Sequence, residues 1–443
     1  MRKNGKFWAT LLIFSLTGQI AWVVENMYFN VFIYKMFHAS ASEIALMVTA
    51  SAIAATVTTI LMGALSDRIG KRKLLMCFGY IAWGISILSF ALIRADYISA
   101  VFGSAVSAAS VGITLVIIMD CVMTFFGSTA NDAAFNAWLT DSTDEHNRGA
   151  AEGLNSMMPL ISVLVVFGGF MGFDLDRAES WTVIYLIIGG VVLLIGLLGF
   201  IIVEEPPVKT PDQLGYFATI LYGLRPDVVR SNGKLYLSML AYLVFNTSIQ
   251  VYMPYLIIYY EQTLGMADYV LIMAPAIILA AVVTAFFGRL TDKHGFRKMV
   301  LIALGLLAGG YIILYLVPAV IYAEGILMKI PVFIGSLLMM SGYLSGMAVF
   351  GTQLRNYTPE HMAGRFQGLR IISQVLIPGI IGPQIGAWVL RDAATIVNSD
   401  GTTSFLPSAD IFLTALIVLL VVMTALVIYL AATRSSRKKA AES

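Results

Sequence analysis

Charge is scarce in this sequence, and that scarcity excludes most classes of protein at once. Only 12% of the 443 residues are Asp, Glu, Lys or Arg, whereas 59% are hydrophobic and the mean hydropathy is +0.84. A soluble chain carries about a quarter charged residues, so this composition belongs to a lipid bilayer. The formal net charge of +2 offers no basic footprint, and no nucleic-acid partner is expected. Cysteine is limited to Cys77 and Cys121, read near opposite membrane faces, so no disulfide is expected. The four histidines, His38, His146, His294 and His361, fall in loops without metal-ligand spacing. There is no HExxH, no Walker motif and no nucleophile–base set, which argues against an enzyme, an ATP-driven pump, a metal site or a cofactor. A cleavable signal is also missing: Arg2, Lys3 and Lys6 precede an apolar run much longer than a signal core.

What is present is a series of long apolar runs. Backbone groups in lipid must be satisfied internally, so a span needs about 20 apolar residues in a helix. Twelve spans are predicted, near 7–35, 42–65, 74–93, 115–140, 149–172, 181–203, 235–260, 269–288, 299–320, 332–355, 366–390 and 409–432. With both termini cytoplasmic, 23 of the 28 Lys and Arg fall inside, leaving Lys35, Arg94, Arg177, Lys329 and Arg391 outside. Residues 95–113 are apolar enough to suggest a thirteenth span, but the internal repeat assigns them to an outer loop. The proline-bearing stretch 204–234 reads as a cytoplasmic linker, with Leu214, Phe217, Leu221 and Leu224 on one helical face.

The repeat is specific. Gly63–Lys73, GALSDRIGKRK, returns 225 residues later at Gly288–Lys298 as GRLTDKHGFRK, identical at six of eleven positions. Thr143–Leu154 similarly returns at Thr358–Leu369. A parallel duplication in an apolar chain predicts an all-α membrane protein of two pseudo-symmetric six-helix bundles, 1–203 and 235–443, with a solute path between them. The expected localisation is the cell membrane, as a monomer.

GALSDRIGKRK resembles the loop signature of the major facilitator superfamily, G-x-x-x-D-R-x-G-R-[KR]-[KR]. The resemblance implies a cytoplasmic gate built from Gly63, Asp67, Arg68, Gly70 and Arg72, with Asp292, Gly295 and Arg297 in the second half and Arg148 and Arg365 nearby. Ser128–Asn147, STANDAAFNAWLTDSTDEHN, is similar to helix 4 of the glycoside–pentoside–hexuronide:cation symporters, such as melibiose permease, and of the sucrose transporters. That similarity places a cation-linked Asp at Asp132 and an acid at the cytoplasmic end at Asp141. Melibiose-type members also carry acids on helix 2, whereas Ala50–Gly63 here has none, which favours a proton over sodium as coupling ion.

A charged side chain at mid-bilayer costs about 2.5–3.5 kcal/mol and marks a pathway. Asp132 lies about 13 Å from the inner end of its helix, near the midplane, and Glu25 lies in the central to outer part of the first span. Asp120 is placed too near the outer surface to count. Asp132 and Glu25 are therefore the candidate coupling residues. Trp22, Glu25, Asn26, Asn131, Asn246 and Gln250 are candidate solute ligands, because an indole beside carboxylate and amide groups suits a pyranose ring and its hydroxyls. The expectation is a secondary active transporter of a sugar or glycoside by proton symport. The alternative is an exporter or lysolipid carrier on the same fold.

Overall fold

The computed structural model describes residues 5–103, 107–144, 147–206, 225–320, 326–358, 369–398 and 401–442. Twelve of its helices are long and apolar enough to cross a membrane. They are α1 (Gly5–Phe37), α2 (Ala41–Ile69), α3 (Arg72–Leu92), α4 (Ala108–Ser142), α5 (Arg148–Phe170), α6 (Ala178–Ile202), α7 (Gly233–Thr263), α8 (Val270–Thr291), α9 (Phe296–Pro318), α10 (Lys329–Tyr357), α11 (Leu369–Val389) and α12 (Asp410–Ile428). The chain divides into two compact units, one formed by Met1–Ile220 with Thr395–Phe405, the other by Leu221–Ala394 with Leu406–Ser443. The linker positions Leu214, Phe217, Leu221 and Leu224 lie outside the described residues.

Helix ends follow local chemistry. Ser40 caps α2 in a reciprocal box, its hydroxyl accepting from Glu43 N at 3.3 Å while Ser40 N donates to the Glu43 carboxylate at 2.7 Å. The two repeated loops each turn on a glycine at positive φ, Gly70 at φ +65° and Gly295 at φ +78°. Residues 95–113 do not form a further span: Ala95–Phe102 is a short helix, and α4 then starts at Ala108, earlier than the sequence suggests.

The first unit packs α3 on α6 through glycine. A Cβ on Gly84 would lie 2.5 Å from the Leu193 backbone nitrogen, and one on Gly196 would lie 2.7 Å from that of Ile81. Small residues let membrane helices approach backbone to backbone, where dispersion replaces the missing hydrophobic drive. In the second unit the comparable approach joins α9 to α10, where Gly310 meets Met339 and Gly342 meets Leu307. The duplication has kept the helices but moved this contact to a different pair.

The five cations expected outside all face acids. Lys35 pairs with Asp176 at 3.0 Å, and Arg94 with Asp96 and Glu179 at 3.0 and 3.1 Å. Arg177 lies 3.8 Å from Glu179, Lys329 pairs with Asp268, and Arg391 pairs with Asp392 at 2.9 Å.

A two-stranded hairpin, β1 (Thr395–Val397) and β2 (Thr403–Phe405), belongs to the first unit although its flanking helices belong to the second. The Tyr34 hydroxyl donates to the Phe405 carbonyl at 2.7 Å, and the two rings meet edge-on at 5.3 Å. His38, left-handed at φ +54°, ends α1 with its Nδ1 3.3 Å from Ser404 Oγ and 3.1 Å from Asn398 Nδ2.

Candidate functional site

Both candidate coupling residues sit where their helix abandons α geometry. Val24–Tyr28 of α1, which carries Glu25, and Ser128–Phe135 of α4, which carries Asn131 and Asp132, are π-helical. A π turn inserts an extra residue, rotates the side chains that follow and recurs at functional sites. Two more occur in the second unit, at Tyr259–Thr263 of α7 and Ile372–Leu376 of α11.

Asp132 is half-buried, and its Oδ2 accepts from the Ser128 hydroxyl at 3.0 Å. Asn136 and Thr140, one and two turns further along α4, are exposed. Each is anchored to the turn before it, Asn136 Nδ2 on the Asp132 carbonyl at 3.0 Å and Thr140 Oγ1 on the Asn136 carbonyl at 2.9 Å. The result is a polar, accessible stripe that runs from mid-helix at Asp132 to the Asp141 end of α4. Such groups avoid lipid and face water-filled space. Asn26 of α1 is also exposed, with its amide on the Trp22 carbonyl at 2.7 Å.

Glu25 lies deeper, at 6% exposure. Its Oε1 accepts from Ser51 of α2 at 2.7 Å and from Thr124 of α4 at 2.9 Å, and those two hydroxyls are 2.9 Å apart. Asp120 is not at the surface as the sequence suggests: it is 2% exposed, within electrostatic reach of Glu25. The early start of α4 explains the error, since twelve residues of helix separate Asp120 from Ala108, about 18 Å at helical rise. Ser51, Thr124 and Asp120 were thus missed as neighbours of Glu25. Ser51 and Thr124 are common small polar residues with no sequence signal of their own.

The remaining candidates scatter. Trp22 tilts against Trp83 with centroids 5.1 Å apart, and both indole nitrogens are buried without a hydrogen-bond partner. Asn131 is buried in the first unit, its Oδ1 accepting from the Tyr80 hydroxyl at 3.0 Å and close to Gly18, while its side chain also interacts with Asp132. In the second unit Asn246 is buried with its amide on the Tyr242 carbonyl at 2.8 Å, and Gln250 is half-buried with its Cβ against Gly382 of α11.

At the end that carries the repeated loop the first unit gathers a compact charge network. Arg72, 5% exposed, donates to Asp67 at 2.5 Å, to Ser66 at 2.7 Å and through Nε to Asp141 at 3.0 Å. It joins the repeated loop to the inner end of α4. Arg68 is exposed, Arg148 is half-buried at the start of α5, and the space around Gly63 is open. In the second unit Arg297 is exposed beside Gly295. Arg365 and the side chain of Asp292 lie outside the described residues.

The sequence profile of the Major Facilitator Superfamily matches residues 8–383. No curated protein matches the chain. Solved structures do. The nucleoside transporter NupG, as a D323A mutant, superposes with TM-score 0.70 at 11% identity, covering 96% of this chain and 99% of that one. A D-xylose–proton symporter gives TM-score 0.69 at 12% identity over 94% and 97% of the two chains. A bacterial homologue of the human lysosomal transporter Spinster, inward-facing and unoccupied, gives 0.63 at 15% over 97% and 96%.

Proposed function

We propose that this chain, which belongs to the Major Facilitator Superfamily and is a membrane transporter of a small solute, carries a sugar or glycoside by proton symport with alternating access. The observation that carries this reading is the accessible stripe of Asp132, Asn136 and Thr140 along α4. An apolar cargo has no use for a carboxylate, an amide and a hydroxyl on one stripe, whereas a polyhydroxyl solute can exchange hydrogen bonds with all three. Among the described residues no lysine or arginine interacts with Asp132, so a proton is the simplest charge for it to accept. A D-xylose–proton symporter among the solved neighbours supports the same reading. The exporter and lysolipid readings would require an apolar opening in place of this stripe.

In this scheme Arg72 and its three partners act as a cytoplasmic latch, closed as described and broken when the inner side opens. Within the first unit, Trp22, Glu25 and Asn26 are the proposed solute ligands.

The test is uptake of radiolabelled sugars into proteoliposomes under an imposed proton gradient. Asp132→Asn imitates the protonated acid at nearly constant shape. It should abolish accumulation while leaving counter-exchange of internal for external solute. Concentrative uptake by a well-folded Asp132→Asn protein refutes the coupling role.

A further inference from the structure

The two halves treat their repeated loops differently, and the difference leaves a basic cavity in the second. In the first unit Arg72 is held by Asp67, Ser66 and Asp141, and the Lys73 backbone nitrogen at the start of α3 donates to both oxygens of the Glu205 carboxylate, at 3.3 and 3.2 Å. Acids therefore cover both the guanidinium and the positive end of that helix. One turn before Asp141, Trp138 is 1% exposed and stacks on Phe7 with centroids 5.5 Å apart.

The repeat carries Arg72 onto Arg297 and Lys73 onto Lys298, and Asp67 returns as Asp292, but the other two acids do not return. Extending the match of 143–154 with 358–369 back by two residues brings Asp141 onto Asn356, and back by five brings Trp138 onto Gln353. The helix of α12 runs on to Glu442 with no acid between Asp410 and Glu442, and beyond its span it carries Arg434, Arg437, Lys438 and Lys439. Arg297 is accordingly exposed, and among the described residues neither it nor Lys234 has an ion pair. At the Gln353 position the second unit is open. Gln353 lines a cavity of about 410 Å³ together with Lys234, His294 and Arg297, over a buried floor of Ala241, Val300 and Leu426. No carboxylate lines it among the described residues. Its walls are the first turns of α7 and α9 and the last turns of α10 and α12, so it lies where spans end, at the level of lipid headgroups.

We infer that this cavity binds the headgroup of an anionic phospholipid, its phosphate bridging Arg297 and Lys234 and its upper acyl chain lying on Leu237, Val300 and Leu426. The phosphodiester takes the place of the two carboxylates that the second half lacks, with a charge-assisted bond to the guanidinium and the positive end of α9 behind it. A soluble phosphate ester has no use for the apolar floor or for Leu237, which is 43% exposed at the cavity, whereas an acyl chain covers both. Basic pockets between spans recognise such headgroups, and the cations just past α12 add attraction to an anionic leaflet.

Native mass spectrometry of the purified, delipidated full-length protein, titrated with dioleoyl phosphatidylglycerol or dioleoyl phosphatidylcholine, tests the site. The parent should hold one phosphatidylglycerol about tenfold more tightly than phosphatidylcholine, whose choline cancels the phosphate charge. Arg297→Gln should weaken phosphatidylglycerol binding about tenfold and Lys234→Gln about fivefold. Both side chains are exposed, so neither variant disturbs folding. Asn356→Asp returns the missing acid and should weaken binding several-fold. Arg289→Gln, at an exposed arginine of the same loop region that does not line the cavity, should leave it unchanged. Equal affinity for the two lipids overturns the proposal, as does parent-like binding in Arg297→Gln. Displacement of the lipid by millimolar glycerol phosphate also overturns it and assigns the site to a soluble phosphate. Neither the solute nor its coupling ion takes part in this binding, so it and sugar uptake can fail independently.

Discussion

Removing the Arg72 guanidinium should expose how unequal its two acidic partners are. Arg72 is 5% exposed, and the side chain of Asp141 is 10% exposed against 60% for Asp67. Arg72→Met strands a buried Asp141, which costs about 3–5 kcal/mol. Asp67 rehydrates, so its pair contributes about 1 kcal/mol or less. Asp141→Asn keeps an acceptor for Nε but loses a charge-assisted bond, a cost of about 2 kcal/mol. The double variant Arg72→Met/Asp141→Asn then has no stranded charge, and the two single effects should overlap by about 2 kcal/mol, roughly 30-fold. Cys77 provides the readout, being fully buried on α3 just beyond Arg72. In a Cys121→Ser background, the rate of maleimide attachment to Cys77 follows the population of the opened inner end. Arg72→Met should label far faster than Asp67→Asn, and the double variant about 30-fold slower than the two single effects would give if they added. Strict additivity, or a coupling of Arg72 to Asp67 as large as that to Asp141, would refute the reasoning.

Glycine contacts supply a second expectation: Gly84→Ala and Gly342→Ala should each lower stability by about 1–3 kcal/mol, read as a melting shift in detergent, because their Cβ atoms would meet backbone. Gly153→Ala, with nothing within 4 Å of its added Cβ, should be neutral or stabilising by up to about 1 kcal/mol. His38→Val should cost about 1–2 kcal/mol through its left-handed backbone, whereas His38→Gly should keep the turn yet speed hydrogen exchange in the hairpin by removing the ring that meets Ser404 and Asn398. Arg94 holds the Asp96 carboxyl below the usual carboxylate range, so that pair contributes fully above the ordinary carboxylate pKa and is lost only as pH falls below it. Because Asp96 is exposed, Asp96→Asn should change the melting temperature little between pH 7 and pH 5, at under about 1 kcal/mol.

The twelve spans and the duplicated loops could be read from the sequence because each is a periodic or compositional property of a long segment. Gly70 and Gly295 were legible because a turn at positive φ needs glycine wherever it recurs. The depth of Asp120 was not, because it depends on where α4 begins, and the repeat assigned residues 95–113 to a loop although the helix already starts at Ala108. The π turns at Glu25 and Asp132 were equally hidden: no residue type favours an i→i+5 bond, and only packing against neighbouring helices decides it. Those turns determine which side chains share a face, so Asn131, named as a ligand for its place beside Asp132 in the sequence, holds the Tyr80 hydroxyl inside the first unit.

The hairpin Thr395–Phe405 changes what counts as half of this molecule. A gene cut in the linker does not separate two self-sufficient folding units, because the piece that closes the His38 end of α1 is synthesised after α11. During biogenesis the first six helices enter the membrane with the Tyr34 hydroxyl and the His38 ring still lacking Phe405, Ser404 and Asn398. The first unit is finished only when translation has passed α11, so its maturation is timed by the chain's far end. Split-gene complementation should therefore succeed with both fragments present, and an N-terminal fragment made alone should be short-lived.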